Sequence, residues 1–198
     1  MHSTRLVSCA LVLLLAAACA STKLVSAWQN PAYAGGPIKK VMIIGLGATP
    51  GGRAEFENDM ADALADEGVM GVSSSGYFTD ARELTRDAVR AWVIRDGYQG
   101  VLVTRVESVQ QTQTVQAPQY TDLWGYWGYY GVAVTPGYVV DTTKLRLTSD
   151  LFTAPSGQVV YTAEITSVDP ASRAKLIHEL VELLVTDLTK RGLLPQKP

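Results

Sequence analysis

From residue 38 onward, apolar and polar positions alternate between strand and helix rhythms. Val41 to Gly45 (VMIIG) is an unbroken apolar run, the pattern of a strand buried on both faces. Arg53 to Glu67 follows with Phe56, Met60, Ala63 and Leu64 at helical spacing and Gly68 as a stop. Val69 to Phe78 reads as a weaker, serine-rich strand suited to an edge. Thr85 is placed to cap a helix running to about Asp96, with Val89, Trp92 and Val93 apolar and Gly97 ending it. Gly100 to Thr104 (GVLVT) is a second buried strand, and it continues into the polar, alternating stretch VESVQQTQTV.

Lys144 to Phe152 sets Leu145, Leu147 and Leu151 against Lys144, Arg146 and Asp150. After the turn residues Ala154-Pro155-Ser156-Gly157, Val159 to Thr166 returns, so the pair reads as a hairpin. Asp169 and Pro170 are the expected N-cap and first residue of a last helix that Gly192 closes. Its stripe of Ile177, Leu180, Val181, Leu184 and Leu188 is wide enough to pack on a sheet. The order predicts an α/β fold with a mixed sheet: βαβαβ, then an antiparallel β-hairpin, then a C-terminal helix. Right-handed crossovers give the parallel strands the order second-first-third, put their two helices on opposite faces, and leave the hairpin beside the third strand.

The N-terminus follows a different pattern. Arg5 supplies a short positive region and Leu6 to Ala18 carries no charge. That run falls short of the roughly 20 apolar residues that span a bilayer as a helix, and it fits the core of a signal peptide. Leu15-Ala16-Ala17-Ala18-Cys19 resembles a lipobox, with small residues before a cysteine that takes a diacylglycerol before cleavage. Position 16 is more often Leu in this motif; Cys9 has too few apolar residues before it. Cleavage at Cys19 removes Cys9 and leaves one cysteine, which is odd in an exported chain unless its thiol is used. The expected organisation is a lipoprotein signal peptide over 1–18, a lipidated tether over 19–37, and one α/β domain over 38–198 with an insertion at about 117–138. The tether reading rests on small and polar residues with Pro31, Gly35, Gly36 and Pro37. Ala20, in place of Asp, points to the outer membrane, facing the periplasm.

Charge narrows the partners. Removing Arg5 takes Lys+Arg from 17 to 16 against 19 acidic residues, a net charge of about −3. A mildly acidic, mixed surface argues against nucleic acid. The glycine-rich turn Gly45 to Arg53 sits where phosphate loops sit, between strand and helix, but lacks the Lys and Ser/Thr of a Walker loop, and Pro50 stands where a dinucleotide fingerprint needs Gly. It leaves at most a weak anion site. His178 is the only histidine after cleavage and lies in a helical stretch. Glu55, Glu57, Asp59, Asp62 and Asp66 read as a solvated helix face, without the His or Asn that would complete a ligand set. No metal, cofactor or catalytic set is assigned.

The stretches KKVMIIGLG, RAEFENDMADALADEGV, GYQGVLVTRV and LRLTSDLFTAPSGQVVYTAEI resemble small periplasm-facing lipoproteins, similar in kind to domain of unknown function 4136. The topology also resembles the amino-terminal domain of the Tol-system translocation protein, the lipoprotein that activates penicillin-binding proteins, and the curli secretion channel lipoprotein. The resemblance covers roughly residues 38 to 194 and implies binding to other envelope proteins or assembly into larger structures.

The segment Tyr120 to Tyr138, YTDLWGYWGYYGVAVTPGY, holds two of the four tryptophans and five of the nine tyrosines, spaced by glycines. Trp and Tyr keep a polar handle on a large apolar body, so Trp124, Tyr126, Trp127, Tyr129 and Tyr130 are candidate contacts for a protein partner or for membrane headgroups; the alternative is a long hairpin folded back on its own domain that hides the rings. Three functions follow. A non-enzymatic binding or scaffolding lipoprotein of the envelope fits best. A subunit of an envelope assembly or secretion complex would need strands facing lipid with alternate residues, which Gln110, Gln111, Gln113 and Gln116 spoil. An enzyme acting on cell-wall carbohydrate would need paired carboxylates, and Glu107, Asp122 and Asp141 have no recognisable spacing.

Overall fold

The first parallel strand sits near the middle of a mixed sheet because both of its faces are apolar. In the computed structural model, which describes residues 21–47, 49–116, 138–154 and 156–195, this is β2 (Lys40–Leu46). Val41 and Ile43 point into one core, Met42 and Ile44 into the other. Around it the chain forms β1 (Thr22–Gln29), α1 (Pro50–Asp66), β3 (Met70–Ser73), α2 (Arg86–Arg95), β4 (Gly100–Gln116), β5 (Tyr138–Thr153), β6 (Val159–Val168) and α3 (Arg173–Lys190). The strands lie in the order β1-β6-β5-β4-β2-β3.

The α/β fold stands as the pattern implied. β3 and β4 flank β2 in parallel, the second-first-third order, and β5 and β6 continue the sheet antiparallel beside β4. The two crossovers run in opposite directions. α1 therefore packs Phe56, Met60 and Leu64 on one face, while α2 packs Trp92 and Val93 on the other. α3 lies on the α1 face and buries Ile177, Leu180, Val181, Leu184 and Leu188 against β5 and β6. The caps expected at Thr85 and Gly192 are present: Thr85 accepts a hydrogen bond from the Ala88 N–H, and Gly192 takes φ +70° after the helix end.

Three expectations need correction. Residues 22–29, expected in a flexible tether, form the edge strand β1, antiparallel to β6. Their small and polar composition conceals an alternation in which Leu24 and Ala27 pack on the core while Lys23, Val25 and Trp28 stay outside. The last helix is capped by Ser172, whose side chain accepts from Lys175 N, and not by Asp169. Asp169 instead takes φ +47° and exchanges hydrogen bonds with Thr143 at the side of β5. Finally, Glu57 does not lie on a solvated face; it is completely buried.

Candidate functional site

Two places in the fold concentrate polar chemistry. The first surrounds Glu57, where β2, β3 and α1 meet. Thr49 caps α1 and turns its first residues over the end of β2, which puts Arg53 and Glu57, one turn apart, against the sheet. Glu57 Oε1 accepts from Gly45 N at 2.8 Å, Arg53 Nε at 2.9 Å and Ser74 Oγ at 2.8 Å. Its Oε2 accepts from Ser73 Oγ at 3.0 Å and Ser75 N at 2.6 Å. Arg53 in turn donates to Ser74 Oγ at 2.9 Å. A buried carboxylate is stable when its lone pairs meet donors and a countercharge, and all of these are present. The cluster welds the ends of β2 and β3 to α1. It also engages the Arg53 side chain and the Gly45 N–H, which are then not offered to the glycine-rich turn.

The second place is the end of the sheet where the described chain begins. Ser21 Oγ donates to Glu179 Oε2 at 2.9 Å, and Thr22 N donates to the same oxygen at 3.0 Å. Thr22 Oγ1 donates to Ser167 Oγ at 3.0 Å, and both side chains are buried. Burial pushes the Glu179 carboxyl up, but the hydrogen bonds from Thr22 and Ser21 outweigh it and hold it below the ordinary carboxylate range. Lys175 Nζ lies 3.8 Å from its other oxygen. The first residue after Ala20 is thus fastened to α3 and β6.

Because its pKa is lowered by folding, Glu179 contributes stability above the unfolded value of about 4.3, and that contribution is lost as pH falls through the folded value. Glu179→Gln should cost about 1 kcal/mol at neutral pH, discounted for the partial exposure of the site. Thermal melts from pH 7 to pH 3 should show a shallower acid loss in the variant; parallel curves would rule out the role.

From this same end, β4 and β5 run on past their neighbours. β2 stops opposite Arg105 and β6 stops opposite Lys144, yet β4 and β5 stay paired from Gln111↔Thr143 to Gln116↔Tyr138. The result is a two-stranded ribbon reaching about 20 Å beyond the sheet at ~3.4 Å per residue.

The candidate residues read from sequence fall unevenly on this frame. Cys19, Trp124, Tyr126, Trp127, Tyr129 and Tyr130 lie outside the described residues, as does Asp122. His178 is exposed on α3. Glu107 sits at a bulge in β4 and pairs with Arg105, while Asp141 faces Gln113 on the ribbon, so the two are not brought together. Among the described residues no group of three or more His, Cys, Asp or Glu is placed to hold a metal ion, and no helix is long and apolar enough to cross a membrane. Sequence reasoning missed Glu57, Glu179 and Asp169. The Arg53/Glu57 spacing at i, i+4 was a usable signal for the first; the others depend on contacts across more than twenty residues.

No family model matches the chain, that of the resembled domain included, and no curated protein matches it. Among solved structures, the PelC dodecamer from Paraburkholderia phytofirmans is similar at 17% identity, over 89% of this chain and 99% of that one, with a TM-score of 0.48. Lipoprotein GNA1162 from Neisseria meningitidis is similar at 11% identity, over 77% of this chain and 99% of that one, with a TM-score of 0.45.

Proposed function

We propose that this chain is a lipid-anchored, non-enzymatic binding or scaffolding module of the bacterial cell envelope, held by acylated Cys19 directly against a membrane. The observation that carries the reading is the fastening of Ser21 and Thr22 to Glu179 and Ser167. With Ala20 alone between Cys19 and Ser21, chain reach limits the Cys19 Cα to about 7 Å from that of Ser21. A lipoprotein on a long linker swings free of the bilayer; this one stays beside it. The outer membrane, facing the periplasm, fits the Ala20 that follows the cysteine. The connection between Gln116 and Tyr138 carries Trp124, Tyr126, Trp127, Tyr129 and Tyr130, whose chemistry suits an envelope protein surface or headgroups.

Wild-type protein in cells fed a labelled fatty acid should carry the label and pellet with membranes. Cys19→Ala should lose both and accumulate as uncut precursor or soluble chain. An unlabelled wild-type protein overturns the reading.

A further inference from the structure

The two outer edges of the ribbon are not alike. On the β5 side the chain closes the edge where β6 ends: Asp169 N donates to Thr143 O at 2.8 Å, and its carboxylate accepts from Thr143 N at 2.6 Å. Asp169 adopts a left-handed backbone, φ +47°, to make both bonds. The edge then continues only over Tyr138 to Thr142, with a charge at Asp141. On the β4 side, among the described residues, no strand pairs with β4 beyond Arg105. That leaves Ser108 to Gln116, SVQQTQTVQ, without a charge, a proline or a glycine.

Proteins blunt exposed strand edges with lysine, proline, bulges or a covering loop, because unpaired N–H and C=O groups template pairing with another chain. The one bulge in β4, between Val106 and Ser108, comes before this run and interrupts nothing within it. Val109 to Thr114 are all exposed, and polar side chains stand on both faces of the ribbon. That pattern suits water rather than lipid along its length. A lone two-stranded ribbon is also marginally stable in water. An edge of nine residues that is uncharged, β-prone and uncovered among the described residues calls for a partner strand.

We propose that the β4 edge, within Ser108 to Gln116, pairs antiparallel with the same edge of a second copy, joining the two ribbons into a four-stranded sheet about a two-fold axis. The β5 edge, capped at Thr143 and charged at Asp141, leaves β4 as the longer uncharged strand. An uncharged run meets its own copy without repulsion, and its Gln and Thr side chains hydrogen-bond with their like across the strands. Antiparallel pairing places the two folded domains, as far as they are described, at opposite ends of the joined ribbons. A self-complementary contact of this kind closes as a dimer. The pairing does not depend on the lipid.

The test uses the full lipidated protein in mild detergent. Its only cysteine after processing is acylated, so cysteines are introduced one at a time from Val109 to Gln116 and oxidised. Around a two-fold axis one residue meets its own counterpart, while each step away adds about two residue rises, ~7 Å, to the separation. Disulfide yield should therefore peak at one or two adjacent positions, about ten-fold above an Asn58→Cys control on the exposed face of α1. Light scattering should give the mass of a dimer for wild type and of a monomer for Thr112→Lys/Thr114→Lys, with unchanged circular dichroism. A flat cross-linking profile, a monomeric wild type, or cross-links only to a different protein overturns the pairing. A wild-type protein that forms disulfides by itself counts against acylation of Cys19 and leaves the ribbon result readable.

Discussion

Glu57→Leu is expected to be the most damaging single change in the described part of the chain, costing about 3–5 kcal/mol. The leucine would leave five donors without their acceptor: the N–H groups of Gly45 and Ser75, the hydroxyls of Ser73 and Ser74, and the Arg53 guanidinium. The guanidinium decides the size of the effect, because an unpaired buried cation costs more than an unpaired neutral donor. Arg53→Met should cost less, about 1–3 kcal/mol, since four donors still surround the carboxylate. The double variant should cost less than the sum of the two, because the charge stranded by each single change is removed by the other. Urea unfolding of the three variants measures this directly. If Glu57→Leu proves as stable as wild type, the cluster does not hold β2 and β3 to α1.

Leu184→Ala should cost about 2–5 kcal/mol, the range for deleting a large side chain from a packed core. Leu184 has no exposed surface and stands mid-way along α3, between Val181 and Leu188 in the stripe that covers β5 and β6. Contacts at both ends resist a shift of the helix into the gap. Its start is tied by Arg173 to Glu55 at 2.7 Å, and its end by Ile38 N donating to Leu193 O at 2.8 Å. Leu184→Asp should be worse, since it buries a carboxylate among aliphatic groups with no donor. A soluble, cooperatively folding Leu184→Asp protein would show that α3 does not dock.

Much of the fold was legible because its signals are local. The doubly apolar run at Val41 to Gly45 marks a central strand, and the stripe on α3 marks a helix that must be covered. The cap at Thr85 and the glycine at 192 are written in single residues with known backbone preferences. Crossover handedness then orders the strands β3-β2-β4 with the hairpin outside them. β1 was missed because an edge strand with one face in water needs few apolar residues; Leu24 and Ala27 suffice once β6 supplies the ladder. The N-cap was misplaced for a related reason. Asp169-Pro170 has the local chemistry of a helix start, but Thr143 offers Asp169 two hydrogen bonds at the sheet edge and Ser172 caps in its stead.

What the sequence alone determined is therefore the class of fold, the order of its elements and the faces they bury. These depend on periodicity and on residue chemistry within a few positions of each other. Tertiary structure alone decided that residues 22–29 of the supposed tether form a strand fastened to Glu179, that Glu57 is an interior anchor rather than a surface acid, and that β4 and β5 outrun the sheet, with no strand among the described residues beside β4 beyond Arg105. Each of these depends on which donors and acceptors meet across long stretches of chain. A carboxylate looks the same in sequence whether water or five protein donors will surround it.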